Sequence, residues 1–180
     1  KGYDVNIVGV RNAETKDRIT NKFDDCVTVS YKKEGEWKFF CFGATTDPGD
    51  DYMDNPIVEE KGCAILKEGQ YRGSHKIRLH GGKYPALGQK KDVTVYRDKN
   101  KDGKYDFDES KSDTGLFGIN IHRATSRAGK TSTYVDKWSA GCQVIASNDD
   151  WTKFLKICEK AKDIHGNSFS YTLLNSKDIC

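Results

Sequence analysis

Apolar residues in this chain come in short runs broken by glycine and charged residues, and only one stretch repeats at helical spacing. That pattern commits the backbone to strands and tight turns. Residues 5–10 alternate as a strand does. Residues 26–31 and 36–42 are rich in β-branched and aromatic side chains, and Glu34-Gly35 between them predicts a hairpin turn. Residues 63–66, 75–79 and 93–97 read as short strands, and 44–56, with Asp-Pro-Gly and several acids, as a loop. Residues 117–122 predict a strand with Phe117, Ile119 and Ile121 on one face and Asn120 and His122 on the other. Residues 143–146 and 168–174 complete the strands. One helix is predicted, with Asn148 as cap, Asp149 and Asp150 at its positive end, and Trp151, Phe154, Leu155 and Cys158 along one face. Gly166 closes it. The fold class expected is mainly β (α+β), with a single helix in the C-terminal half.

At 180 residues the chain suits one domain, whose folding buries roughly 70% of the unfolded surface. Residues 1–60 form a β-rich part of unassigned role, packed on the same domain as residues 61–180. The net charge of +3 is spread over both signs without long basic runs, so no nucleic-acid partner is expected. No apolar run approaches the ~18 residues of a membrane span. The first residue is Lys1 rather than Met, as expected of a processed or trimmed chain. The six cysteines are Cys26, Cys41, Cys63, Cys142, Cys158 and Cys180. They show no Cys-x-x-Cys pairing, which argues against structural zinc, and most are expected as free thiols. Cys26 with Cys41 is the pair to test, since both fall on the predicted hairpin.

The most informative stretch runs from Asn120-Ile-His122-Arg123 to Trp138-Ser139-Ala140-Gly141-Cys142. A thiol becomes a strong nucleophile when an imidazole takes its proton, and the thiolate then attacks a carbonyl carbon. Cys142 is the candidate nucleophile and His122 its base. The small Ser-Ala-Gly approach lets a substrate backbone come near, and it leaves the amides of Gly141 and Cys142 to face a developing oxyanion. Asn120, Ser139 or a backbone carbonyl could hold the other imidazole nitrogen. Such a cysteine is expected to react well below pH 8.5. Arg123 beside the base could hold a substrate carboxylate, and Trp138 could stack on substrate. Taken singly, a buried core cysteine and a hydrogen-bonded histidine are the commoner outcome.

His122 followed by Ser139-Ala-Gly-Cys142 resembles the catalytic motif of the L,D-transpeptidase (YkuD-like) family, over roughly residues 69–146. The resemblance implies a β-sandwich-like catalytic domain over residues 61–180 and a cysteine acyl-enzyme. It also implies peptidoglycan stem peptides as substrate. Cys142 would be the nucleophile, His122 the base, Gly141 the oxyanion-hole glycine and Ser139 the leading serine. The implied location is extracellular, periplasmic or otherwise cell-wall-facing, delivery by a phage included. The family's second histidine is replaced by Ala140, and its Asn or Arg after the cysteine by Val144. Those departures favour hydrolysis slightly over cross-linking. The rival expectation is a non-catalytic, calcium-binding, cell-wall-binding or phage-particle module on the same fold.

Residues 98–109 match a twelve-residue calcium loop by position. Asp98, Asn100, Asp102 and Asp106 place oxygens at the first, third, fifth and ninth places. Gly103 makes the sharp turn, Lys104 offers its carbonyl, and Glu109 closes the loop. Structural calcium is the cofactor expected, with no organic cofactor. A hairpin turned at Asp102-Gly103, its acids in water, is the competing expectation.

Overall fold

The computed structural model describes residues 2–14 and 18–179. Cys180 and Lys1 lie outside the described residues. Eleven strands are present among them: β1 (Asn6–Arg11), β2 (Asp25–Lys33), β3 (Glu36–Thr45), β4 (Cys63–Leu66), β5 (Gly69–His80), β6 (Tyr84–Gln89), β7 (Val93–Asp98), β8 (Ser112–Gly115), β9 (Ile121–Arg123), β10 (Gln143–Ile145) and β11 (Phe169–Asn175). A short helix α1 (Asp50–Asp54) falls within the segment expected as loop, and α2 (Asn148–His165) is the one long helix.

Eight strands close a barrel in the order β1-β11-β5-β6-β9-β10-β3-β2, while β4-β7-β8 form a separate three-stranded sheet. This corrects the expected sandwich. Strand β1 pairs parallel to β11 on one side and antiparallel to β2 on the other, so the sheet returns on itself and leaves no edge. Strands on both sides of the 60/61 division therefore build one barrel, with β3 lying against β10.

The Glu34-Gly35 hairpin forms as expected, both residues having positive φ (53° and 86°), which suits the twist of β2 and β3. Cys26 and Cys41 sit on these strands as free thiols close enough to influence each other. Ser147, one residue before the predicted cap, caps α2 by accepting from the Asp150 amide at 3.3 Å. Trp151, Phe154, Ile157, Cys158 and Ala161 then pack with Val27, Phe42, Leu87, Ile121 and Ile145 in the main core.

The 117–122 strand is shorter than expected: the ladder covers only Ile121–Arg123. Gln89 is the reason. Its side-chain Oε1 accepts from the amides of Phe117 (3.2 Å) and Ile119 (2.9 Å), replacing a strand partner there.

A buried cation ties these elements together. Arg11 is 0% exposed. It pairs with Asp47 and Glu68, both at 2.8 Å, and donates to the carbonyls of Leu66 (2.8 Å) and Thr46 (3.2 Å). The Thr46 carbonyl also accepts from Gln143, whose other amide atom accepts from the Tyr171 hydroxyl at 2.8 Å. The network thus reaches the first residue of β10, next to Cys142.

Candidate active site

Side chains alternate across a strand, so the inward packing of Leu87, Ile121 and Ile145 turns their neighbours outward. In the parallel pair β9–β10, Val144 lies opposite His122 and Gln143 opposite Ile121. Cys142 comes one step earlier, level with Asn120, and shares the outer face with Asn120 and His122. The expected alternation of Asn120 and His122 therefore holds although the strand is short. Asn120 is tied to both neighbours: its carbonyl accepts from the Gln143 amide at 2.8 Å, and its own amide donates to the Cys142 sulfur.

His122 is 4% exposed. Its Nδ1 lies 2.9 Å from the Arg123 carbonyl, an acceptor, which favours the proton on Nδ1. Of the three candidates for holding the ring, the backbone carbonyl is the one that does so. The Tyr84 hydroxyl adds a contact to Nδ1 at 3.3 Å, and His80 stacks on the ring at 4.3 Å between centroids. Burial pushes His122 down to about 4, against the pull of the Arg123 and Trp138 carbonyls toward the cation. At neutral pH it is an unprotonated base.

Cys142 is partly exposed, and its thiol donates to the Gly118 carbonyl at 3.4 Å. Burial of the sulfur pushes the thiol up to about 11, with the Asn120 amide opposing. The thiol's own acidity is not enhanced, so reaction below pH 8.5 requires a base to take its proton. Thiol and imidazole are both neutral at rest, and no hydrogen bond joins Cys142 to His122 among the described residues.

Ser139 and Gly141 shape the approach to Cys142. Ser139, fully buried, donates to the Cys142 carbonyl at 2.7 Å and accepts from the Gly141 amide at 3.2 Å. The Gly141 amide is thus engaged with Ser139 rather than aimed at an oxyanion, which corrects that expectation. The Cys142 amide has no hydrogen-bond partner among the described residues. Gly141 is required for another reason. Its φ is 119°, and a Cβ there would lie 2.4 Å from the Ala64 carbonyl oxygen of β4. Gly141→Ala is expected to cost about 2–4 kcal/mol and to displace the cysteine loop. Chemical denaturation checks this, and an unchanged midpoint would show that the loop is not pressed against β4.

The residues proposed for substrate binding divide. Trp138, 44% exposed at the end of a 3-10 turn, is open to stack on a ligand. The Arg123 guanidinium already lies over the Tyr84 ring at 4.2 Å. Gln143 is buried and bonded inside the barrel. His75 is a core histidine, between the Ser74 hydroxyl (2.8 Å) and the Ile119 carbonyl (2.9 Å). His80 and Tyr84, which contact His122, lie outside the Asn120–Cys142 stretch. The sequence signal for both was a turn at Gly81-Gly82, which folds β6 back on β5 and pairs His80 with Tyr84.

The 98–109 loop follows β7 and takes positive φ at Lys101 (56°) and Gly103 (78°). Asp98 accepts from the Asp106 amide at 2.8 Å, Asn100 from Asp102 at 3.2 Å and Asp102 from Lys104 at 3.0 Å. Burial and the nearby Asp106 and Asp102 raise the Asp98 carboxyl, the kind of repulsion a cation relieves. Glu109 faces elsewhere, pairing with Lys67 and the Tyr96 hydroxyl. Among the described residues, the acidic group whose ligand atoms converge within 4.8 Å is a different one, Asp50, Asp51 and Asp136. No helix among the described residues is long and apolar enough to cross a membrane.

No protein-family model, curated protein or solved structure matches the chain, so the chemistry of this site rests on its own geometry.

Proposed function

We propose that this chain is a cysteine peptidase or transpeptidase acting on peptidoglycan stem peptides, with hydrolysis slightly favoured over cross-linking. One observation carries the reading. The His122 ring is fixed at Nδ1 by the Arg123 carbonyl, on the barrel face that carries Cys142. In the proposed reaction, His122 Nε2 takes the thiol proton as Cys142 Sγ attacks a peptide carbonyl carbon. The Cys142 amide donates to the oxyanion. The C–N bond then breaks, the amine leaves with the proton from His122, and a thioester remains. Water, deprotonated by His122, releases the acid; a second amine would give transfer instead. The setting that suits this activity is the cell-wall side of a bacterial envelope, whether reached by secretion or from a phage.

Mass spectrometry of a stem tetrapeptide incubated with the protein tests the proposal. New peptide products are expected from the native chain and none from Cys142→Ala. Equal product from both would end the cysteine reading.

A second reading has its own support. The thiol bonds to Gly118 and is pushed up to about 11, as in a non-catalytic calcium-binding module that binds cell walls or belongs to a phage particle. In that case native protein and Cys142→Ala would bind peptidoglycan alike and leave it uncut.

On either reading, residues 98–109 hold a structural calcium through Asp98, Asn100, Asp102, the Lys104 carbonyl and Asp106, with Glu109 joining after it leaves Lys67. Calcium at about 100 times its dissociation constant would add about 2.7 kcal/mol of stability. The expected result is a higher melting temperature for native protein in calcium and no gain for Asp98→Asn. Identical melting with and without calcium would remove the cofactor.

A further inference from the structure

We propose that the outer-face pocket formed by Arg78, His80 and Asn120 binds a carboxylate of an acidic peptide substrate, beside the cysteine–histidine pair. The proposal rests on the enzymatic reading above and names its substrate class.

The pocket encloses about 320 Å³, with Ala86 and Gly88 as its floor. Register explains why it lies where it does. Arg78 pairs with Ala86 and His80 with Tyr84, while Leu87 pairs with Ile121. Ala86 and Gly88 therefore stand beside His122 and Asn120. Small residues on β6 leave a trough between the polar side chains of β5 and β9. Two of its lining residues also touch the reacting pair: His80 stacks on His122, and Asn120 bonds the Cys142 sulfur.

The chemistry of the trough is anion-binding. A Cβ on Gly88 would lie 1.9 Å from Arg78 Nε and 2.7 Å from its Cγ and Cδ, so the missing side chain is what lets the arginine lie flat across β6. Among the described residues no carboxylate is within ion-pair distance of Arg78, and no acidic residue lines the pocket. Lys76, opposite Gly88 on the same face, adds positive charge. Asn120 Oδ1 accepts from the Gln89 amide at 2.9 Å, which directs its Nδ2 to His80 Nδ1 at 3.3 Å. His80 then carries its proton on Nε2 and is a donor in its neutral form. Burial and the nearby Arg78 hold His80 below its usual value, so Arg78 supplies the charge.

Other candidates for this task are already engaged. Arg123 is stacked on Tyr84, Gln143 is inside the barrel, and Val144 is apolar and buried. Gly88 lies two strands from Cys142, and neighbouring strands are ~4.8 Å apart, so the carboxylate sits about 10 Å from the carbonyl under attack. A planar guanidinium suits a carboxylate, which it can grip at both oxygens.

The test uses one tetrapeptide stem, L-Ala-γ-D-Glu-L-Lys-D-Ala, with the glutamate α-carboxyl free or amidated. Native protein is expected to turn over the acid with kcat/KM at least tenfold above the amide, the difference lying in KM. Arg78→Gln should erase that preference by weakening the acid alone, and Arg78→Lys should keep part of it. Equal kcat/KM for both peptides, unchanged in Arg78→Gln, would overturn the pocket and leave the enzyme standing. If neither peptide is turned over, the enzymatic reading falls, and calorimetry on Cys142→Ala judges the pocket alone. Tighter binding of the acid, lost in Cys142→Ala with Arg78→Gln, supports it. Equal binding, or none, overturns it.

Discussion

His122→Ala is expected to lower peptide turnover by about 10²–10⁴-fold and to change how the rate depends on pH. In the native chain the base is pushed down to about 4 and the thiol up to about 11. Thiol and neutral imidazole therefore coexist over the whole range between, and kcat/KM should be flat from about pH 5 to pH 10. It should fall only when His122 is protonated near pH 4. Without the imidazole, reaction requires thiolate formed by hydroxide, so the rate should climb about tenfold per pH unit toward 11. Rates over pH 4–10 for both proteins check this. A merely structural His122 would lower the rate without altering the profile, and a native profile that already climbs through neutrality would contradict base catalysis.

Arg11→Met is expected to destabilise the fold by about 3–5 kcal/mol, because it strands buried carboxylates and carbonyls that the guanidinium now serves. For a chain of this size each kcal/mol corresponds to roughly 2–4 °C in melting temperature, so a fall of about 6–20 °C should follow. The loss should depend on pH with a definite sign. In the native fold Arg11 favours the charged forms of Asp47 and Glu68. Removing it raises both folded-state values, so the added destabilisation is full at high pH and is relieved as pH falls and these groups protonate. Asp25, raised to about 7 by burial and by Asp47, moves in the same direction. Denaturant unfolding at pH 5 and pH 8 should show the smaller loss at pH 5. An equal loss at both would mean that Arg11 acts by packing alone.

These two residues differ in how far the sequence exposed them. His122 was legible because its signal is local: period-two alternation sets it beside Asn120, and a small-residue approach marks Cys142. The Glu34-Gly35 hairpin and the helix with its Trp151–Phe154–Cys158 face were legible for the same reason. Arg11 was not. Its partners Asp47, Glu68, Leu66 and Thr46 lie 35 or more residues away, and only barrel closure brings them together. Closure itself depends on β1 pairing with β11 across the length of the chain, which no run of residues announces. Strand β6 carries Pro85, a residue that ordinarily argues against a central strand. It is tolerated because β6 pairs with β9 only at Leu87, so Pro85 has a ladder partner on the β5 side alone. The Arg78 pocket was hidden likewise, since it needs Gly88 on one strand and Asn120 on another.

The oxyanion assignment failed on a contact of two residues' length. Ser139 is close enough to take the Gly141 amide for itself, and sequence spacing cannot rank that bond against an amide left open to substrate. What remains for the reacting centre is Cys142, its own amide, and the imidazole held by Arg123.

The account turns on whether the Cys142 sulfur becomes covalently acylated. The most direct measurement is the intact mass of the protein, quenched in acid after seconds with excess stem tetrapeptide. A mass gain equal to the acyl fragment is expected, located at Cys142, removed by hydroxylamine, and missing from Cys142→Ala. Turnover of the peptide with the sulfur never modified, or an adduct that persists in Cys142→Ala, would contradict the account.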